Sequence, residues 1–154
     1  MHDKIMEAII FIGIQASGKS TFYKEYFFNT HIRISRDLLK TKNREKLLFE
    51  YCKKTQMPFV IDNTNVSKEI RKKYINISKD MNIPIIGYYF GTNLERSIEW
   101  NNKRTEKENI PKVGILGTYN QLEIPSINEG FTKLFYVDII DTGFLIKDWN
   151  DEIR

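Results

Sequence analysis

Residues Gly13 to Thr21 read Gly-Ile-Gln-Ala-Ser-Gly-Lys-Ser-Thr. This is the phosphate-binding pattern G-x-x-x-x-G-K-[ST], and it constrains the fold because it has meaning only between a buried strand and a helix start. Both neighbours are in place. The apolar run Ala8-Ile9-Ile10-Phe11-Ile12 precedes the motif, and a helix-compatible stretch from Lys19 to Phe28 follows it. Gly13 and Gly18 let the backbone curl so that N–H groups of Gln15, Ala16, Ser17 and their neighbours converge on one anion. The helix start adds partial positive charge. Lys19 is placed to reach the β- and γ-phosphates of a nucleoside triphosphate, the Ser20 hydroxyl to meet Mg²⁺, and Thr21 to continue the cradle.

The rest of the chain repeats the alternation that the motif demands. Strands are expected at Ile5–Ile12, His31–Ser35, Pro58–Asp62, Pro84–Phe90 and Lys133–Ile140. Helices are expected at Lys19–Phe28, Asn43–Thr55, Ser67–Met81, Asn93–Lys103 and Val113–Leu122. Short strands alternating with amphipathic helices predict a three-layer α/β/α domain with a mainly parallel sheet. Pro58 and Pro84 open their strands, where a missing N–H does little harm. Ser67 is expected to cap its helix without a reciprocal acid. Thr105 to Pro111 is polar with few apolar anchors, which predicts a mobile lid spanning about residues 104–112. At 154 residues, with no repeat or linker, the expectation is one domain over residues 1–154.

Composition narrows the class further. With 41% hydrophobic and 29% charged residues, the chain reads as globular rather than disordered. No apolar run reaches the roughly 20 residues of a membrane span. The apolar N-terminal stretch contains Glu7, and cleavage near Ala16 would destroy the phosphate loop, so a secretory leader is rejected. A single cysteine, Cys52, excludes an intrachain disulfide, and without a Cys/His cluster no zinc site is expected. These features together predict a cytoplasmic protein, with Cys52 as a small core residue. Residues Arg33 to Lys54 hold eight basic and three acidic side chains. Such a cluster suits a polyanionic partner or a solvated helix face.

Phosphoryl transfer also needs a group that orients the nucleophile and cations on the migrating phosphoryl. In a parallel sheet these gather at the carboxyl ends of the strands. The second strand ends at Ser35-Arg36-Asp37, where Asp37 is a general base or a helix-capping acid. The third ends at Ile61-Asp62-Asn63-Thr64-Asn65, where Asp62 resembles a Mg²⁺-holding acid or serves turn chemistry. The helix ending Asn101-Asn102-Lys103-Arg104 leads into the loop, so Arg104 is a lid cation or a helix-end cation. A GTPase is disfavoured, because no Asn-Lys-x-Asp and no Asp-x-x-Gly occur at the places such enzymes need them.

In this order, the phosphate loop, Ser35-Arg36-Asp37, Ile61-Asp62-Asn63-Thr64-Asn65, Asn101-Asn102-Lys103-Arg104 and Glu129-Gly130-Phe131 resemble the kinase domain of 5′-polynucleotide kinases. The likeness is strongest to the kinase half of the bifunctional kinase/phosphatase repair enzymes, and it runs over about residues 5–140. It implies transfer of the ATP γ-phosphate, with Mg²⁺, to the 5′-hydroxyl of DNA or RNA. Asp37 then matches the general base, Lys19 and Ser20 the phosphate and metal contacts, and Arg104 a lid arginine on the triphosphate. Arg36, Lys40, Asp62 and Thr64 fall on the acceptor side. Three departures stand out. Lys40 replaces an arginine that some members carry, Trp100 replaces a basic lid residue, and Ala16 replaces a common glycine. No phosphatase Asp-x-Asp-Gly-Thr motif is present. The alternatives left open are a kinase for a small metabolite or nucleoside, and a nucleotide-dependent binding module without an acceptor. Where Arg33, Arg36, Lys40 and Lys42 point is expected to separate an open basic channel from an enclosed pocket.

Overall fold

A computed structural model describes residues 5–105 and 109–150. These form a six-stranded sheet flanked by helices. In chain order the elements are β1 (Ala8–Ile12), α1 (Lys19–Tyr26), β2 (Ile32–Ile34), α2 (Arg36–Leu39), α3 (Lys42–Thr55), β3 (Phe59–Ile61), α4 (Lys68–Asp80), β4 (Ile85–Phe90), α5 (Leu94–Asn102), α6 (Lys112–Gln121), β5 (Lys133–Ile140) and β6 (Gly143–Asp148). The strand order is β2-β3-β1-β4-β5-β6. Neighbouring strands are parallel from β2 to β5, and β6 returns antiparallel along β5. Among the described residues no helix is long and apolar enough to cross a membrane.

The two-residue period of the strands divides the core in two. Ala8, Ile10 and Ile12 of β1 join Phe59 and Ile61 of β3 against Phe49 and Cys52 of α3 and Tyr74 and Ile75 of α4. Ile9 and Phe11 point the other way, with Val60 and Phe90, against Phe22 and Tyr23 of α1 and Phe27 just beyond it. This gives the expected three layers, with β1 at the centre and every one of its residues buried. Such a strand reads as a continuous apolar run because neither face meets water. Phe11 and Phe22 meet edge to face at 5.5 Å, and Phe144 of β6 closes on Phe22 at 5.1 Å.

The helices start and stop close to the expected places. The Ser67 hydroxyl accepts the Ile70 N–H at 3.1 Å, the cap without a reciprocal acid that the sequence suggested. Two elements were not anticipated. The short α2 is a single turn following β2. β6 extends the sheet past Ile140 through a tight turn in which Gly143 adopts φ 134°.

One buried ion pair ties the first turns of α4 to the segment that leads into β5. Arg71 of α4 is fully buried. Its Nε and Nη2 donate to Glu129 Oε1 and Oε2 at 2.8 and 3.1 Å, and its Nη1 donates to the Asn65 carbonyl at 2.9 Å. Glu129 also accepts the Ser126 N–H at 2.9 Å, completing a capping box before β5. Asn65 in turn donates through Nδ2 to the Phe11 carbonyl at 2.7 Å and holds the segment after β3 against β1. Removing one partner of such a pair leaves an uncompensated buried charge. Glu129→Ala is therefore expected to lower the unfolding free energy by about 3–5 kcal/mol in urea denaturation. Replacing both Arg71 and Glu129 by apolar residues of similar volume should recover much of that loss, and a Glu129→Ala change below about 1 kcal/mol would contradict the role given to the pair.

Candidate functional site

The strand order reverses direction between β1 and β4, and the crevice outside the carboxyl end of β1 is where such sheets bind ligands. The loop of residues 13–18 fills it. Three contacts fix its path. The Gly13 N–H donates to the Thr64 carbonyl at 3.0 Å, the Ser97 hydroxyl of α5 donates to the Ala16 carbonyl at 3.1 Å, and Gln15 Nε2 donates to Thr118 Oγ1 of α6 at 2.8 Å. Gly18 turns into α1 at φ 94°, and a Cβ there would lie 3.0 Å from Ile139 Cδ1. Ala16, at the position of a common glycine, holds φ 54° despite its side chain. The contact from Ser97 sits at that strained residue.

Lys19 is buried at the base of the loop. Its Nζ donates to the carbonyls of Gly13 and Ile14 at 3.0 and 2.6 Å and to Ser17 Oγ at 3.3 Å. Burial pushes its ammonium down to about 8. Asp62 and Asp37 pull it upward, and Arg104 pushes it further down. The ammonium thus lies within the field of three other candidate residues. All of them border one cleft of about 270 Å³, together with Gln15, Ala16, Ser17, Gly18, Ser20 and Thr21. Trp100 and Ile110 also line it.

In the same cleft, Asp62 Oδ2 lies 3.4 Å from the Ser20 hydroxyl. A hydroxyl and a carboxylate are hard oxygen donors of the kind Mg²⁺ uses when phosphates and water complete its shell. Among the described residues no three His, Cys, Asp or Glu side chains form a cage of their own. A metal carried by a phosphate ligand fits this donor set. Arg33 of β2 also reaches Asp62, with Nε 2.7 Å from Oδ2. Sequence reasoning placed Arg33 in a basic run and among the residues whose direction separates an open channel from an enclosed pocket, and gave it no link to Asp62.

A second cleft, of about 610 Å³, adjoins the first. Arg36, Lys73 and Tyr74 line it, and Asp37, Asn63, Thr64, Gln15 and Ile110 border both clefts. Asp37 is exposed at the first turn of α2, on the wall between them. The Arg36 N–H donates to Asn63 Oδ1 at 2.9 Å, which sets α2 against the end of β3. Behind this wall lies Glu45 of α3, which is buried. Its carboxylate accepts Tyr74 Oη at 3.2 Å, pairs with Lys73 Nζ at 3.3 Å, and lies 3.9 Å from Arg36 Nη1. Burial and the Glu45 charge push the Tyr74 hydroxyl strongly upward, so it donates rather than ionises. Glu45 and Lys73 were not singled out from sequence. Their helical positions meet only across two separate elements.

Lys40, expected on the acceptor side, ends α2 at φ 71°, is exposed and borders neither cleft. Arg36 and Lys73 are the basic residues that line the second cleft. Asp62 faces Ser20 and the first cleft, whereas Thr64 borders both.

Residues 106–108 of the expected lid 104–112, including Lys107, lie outside the described residues. The flanks of that segment are joined by Asn101, which is buried at the end of α5. Asn101 Nδ2 donates to the Ile110 carbonyl, Asn101 Oδ1 accepts the Ile110 N–H at 2.8 Å, and Asn109 Nδ2 donates to the Asn101 carbonyl at 2.7 Å. Arg104 follows this clasp directly.

The AAA domain family matches residues 9–114, which include the phosphate loop, Asp37, Asp62 and Arg104. The chain belongs to this family. Over an alignment of 155 positions that covers 94% of this chain, it is 30% identical to the bifunctional polynucleotide phosphatase/kinase of Schizosaccharomyces pombe. Over an alignment of 144 positions that covers 86% of this chain, it is 32% identical to the putative bifunctional polynucleotide phosphatase/kinase of Acanthamoeba polyphaga mimivirus. The resemblance noted from the motifs is therefore borne out. The chain spans only 36% and 34% of those two proteins. Among solved structures, Kti12 of Chaetomium thermophilum in complex with ADP-AlF3 matches with a TM-score of 0.66 at 17% identity, over 85% of this chain and 88% of that one. A likeness at that identity shows the phosphate-loop kinase fold.

The buried ammonium generates a pH prediction. Below about pH 8 Lys19 is already protonated in the free protein, and a polyphosphate beside it raises its pKa. Above that value, binding has to take up a proton, so affinity falls as pH rises through about 8. Calorimetry of ATP binding at about pH 9, in two buffers of different ionisation heat, should show uptake approaching one proton per site. Lys19→Met should lose the uptake and most of the affinity. Binding without proton exchange would contradict the buried-ammonium assignment.

Proposed function

We propose that this chain transfers the γ-phosphoryl group of ATP, with Mg²⁺, to the 5′-hydroxyl end of a polynucleotide. The observation that carries the reading is the position of Asp37. It stands on the wall shared by a cleft built on the phosphate loop and a second cleft bearing Arg36 and Lys73. A base in that position serves a nucleophile from one side and a phosphoryl group from the other. The polynucleotide named for both curated relatives supports the acceptor class.

In this reading the loop N–H groups and Lys19 hold the β- and γ-phosphates. Ser20 and Asp62 would hold Mg²⁺, which supplies charge neutralisation between the phosphate oxygens. Arg36 and Lys73 draw the phosphate backbone of the acceptor strand into the second cleft, and Thr64 lies at the junction. Asp37 accepts the proton of the 5′-hydroxyl as its oxygen bonds to the γ-phosphorus. The bond from that phosphorus to the bridging oxygen breaks, and ADP leaves with the electron pair. Arg104, at the base of the lid, meets the charge that spreads over the migrating group, and its planar fork suits two phosphate oxygens at once.

Asp37→Asn keeps size and hydrogen bonding but cannot take a proton. It should lower kcat for phosphorylation of a 5′-hydroxyl oligonucleotide by about 10²–10⁴ while ATP affinity stays within a few-fold. Retained kcat with weakened ATP binding would assign Asp37 to capping α2 and remove the base from the mechanism.

A further inference from the structure

Arg33 lies mid-strand in β2, and its side chain reaches across the end of β3 into the nucleotide cleft. Its Nε donates to Asp62 Oδ2 at 2.7 Å, and its Nη2 donates to Ser20 Oγ at 3.4 Å. Ser20 donates to the same Asp62 Oδ2 at 3.4 Å. The three groups close a triangle. The Asp62 side chain is 3% exposed and that of Arg33 31%, so the carboxylate is covered and the cation is reachable from the cleft. Thus the two oxygens that fit a metal are already held by a charged side chain of the protein.

Two physical consequences follow. A buried carboxylate without a partner is costly, and Arg33 removes that cost when the cleft is empty. A guanidinium also cannot give up its charge at any working pH. A divalent ion that bridges Asp62 Oδ2 and Ser20 Oγ therefore competes directly with Arg33, which does not deprotonate out of its way. Free Mg²⁺ surrenders its water reluctantly and gains just one carboxylate and one hydroxyl here. A metal that arrives on a triphosphate brings further anionic oxygens to offset the displaced ion pair. Lys19, beside it, has its own partners in the loop carbonyls and does not fill the same place.

We propose that Arg33 is a positioning residue that holds the metal-facing pair Asp62 and Ser20 closed in the nucleotide-free protein. It yields only to a metal carried in by the nucleotide, so that metal and nucleotide enter together. This inference rests on the phosphate-loop reading of the site and adds an order of binding to it.

The test is a titration of the nucleotide-free chain with Mn²⁺, followed by electron paramagnetic resonance. Arg33→Gln should bind free Mn²⁺ about tenfold or more tightly than the unaltered chain, a difference of about 1.4 kcal/mol. Adding Asp62→Asn to that variant should abolish the gain. Equal Mn²⁺ affinities in the Arg33→Gln and unaltered chains would overturn the proposal. A second measurement needs no variant. The ¹⁵Nε resonance of Arg33 should stay in place when Mg²⁺ is added alone and move when Mg²⁺ and ATP are added together. Movement with Mg²⁺ alone would also overturn it. If nucleotide binds normally while either result goes against Arg33, only this inference fails. If no nucleotide binds at all, the phosphate-loop reading fails and the inference falls with it.

Discussion

β1 is buried on both faces, and the position of its carboxyl end governs the rest of the molecule. Ile10 and Ile12 are locked into one core, Ile9 and Phe11 into the other. The chain leaving Ile12 has no freedom to drift, so the phosphate loop begins from a fixed point. β3 and β4 run parallel on either side and deliver their own carboxyl ends to the same edge. This is why Asp62, after β3, meets Ser20, at the start of α1, although 42 positions separate them. It is also why the Lys19 ammonium is kept desolvated, and burial pushes it down to about 8.

A second tier of polar contacts holds the strand-end segments in place. Arg71 and Glu129 reach the site through Asn65, and Glu45 reaches it through Arg36, Lys73 and Tyr74. Glu129 belongs to one of the runs that carry the family likeness, yet it touches neither cleft. Its likeness is architectural: it neutralises a buried arginine that pins the segment after the third strand. Resemblance in a motif therefore does not by itself place a residue at the chemistry.

Much of this was legible in the sequence where local rules and global fold agree. The loop motif sits between a continuous apolar run and a helix start, and each of those signals is readable without its neighbours. Ser67 capped its helix as its residue type predicts. The features that escaped were those set by distant pairing. β6 pairs back on β5 through Asp141, Thr142 and Gly143, a short glycine-containing segment between apolar runs whose hairpin signal is weak beside the strand-helix alternation. Arg33 looked like one cation among many. Only the parallel register of β2 with β3, which sets Arg33 beside Val60 and Ile34 beside Ile61, brings it to Asp62. Lys40, placed on the acceptor side by the family resemblance, sits at φ 71° just after a single helical turn that the sequence pattern does not show, and it borders neither cleft.

Phosphoryl transfer by this chain depends on a junction, with the phosphate loop on one side of Asp37 and a cleft lined by Arg36, Lys73 and Glu69 on the other. Transfer of γ-³²P from ATP to a panel of 5′-hydroxyl DNA and RNA oligonucleotides, nucleosides and sugars tests that junction most directly. The account predicts label at the 5′ end of oligonucleotides, with acceptor KM rising steeply with salt as the cleft's cations are screened. Label found only on a small neutral acceptor, or only as released phosphate whatever acceptor is present, would contradict it.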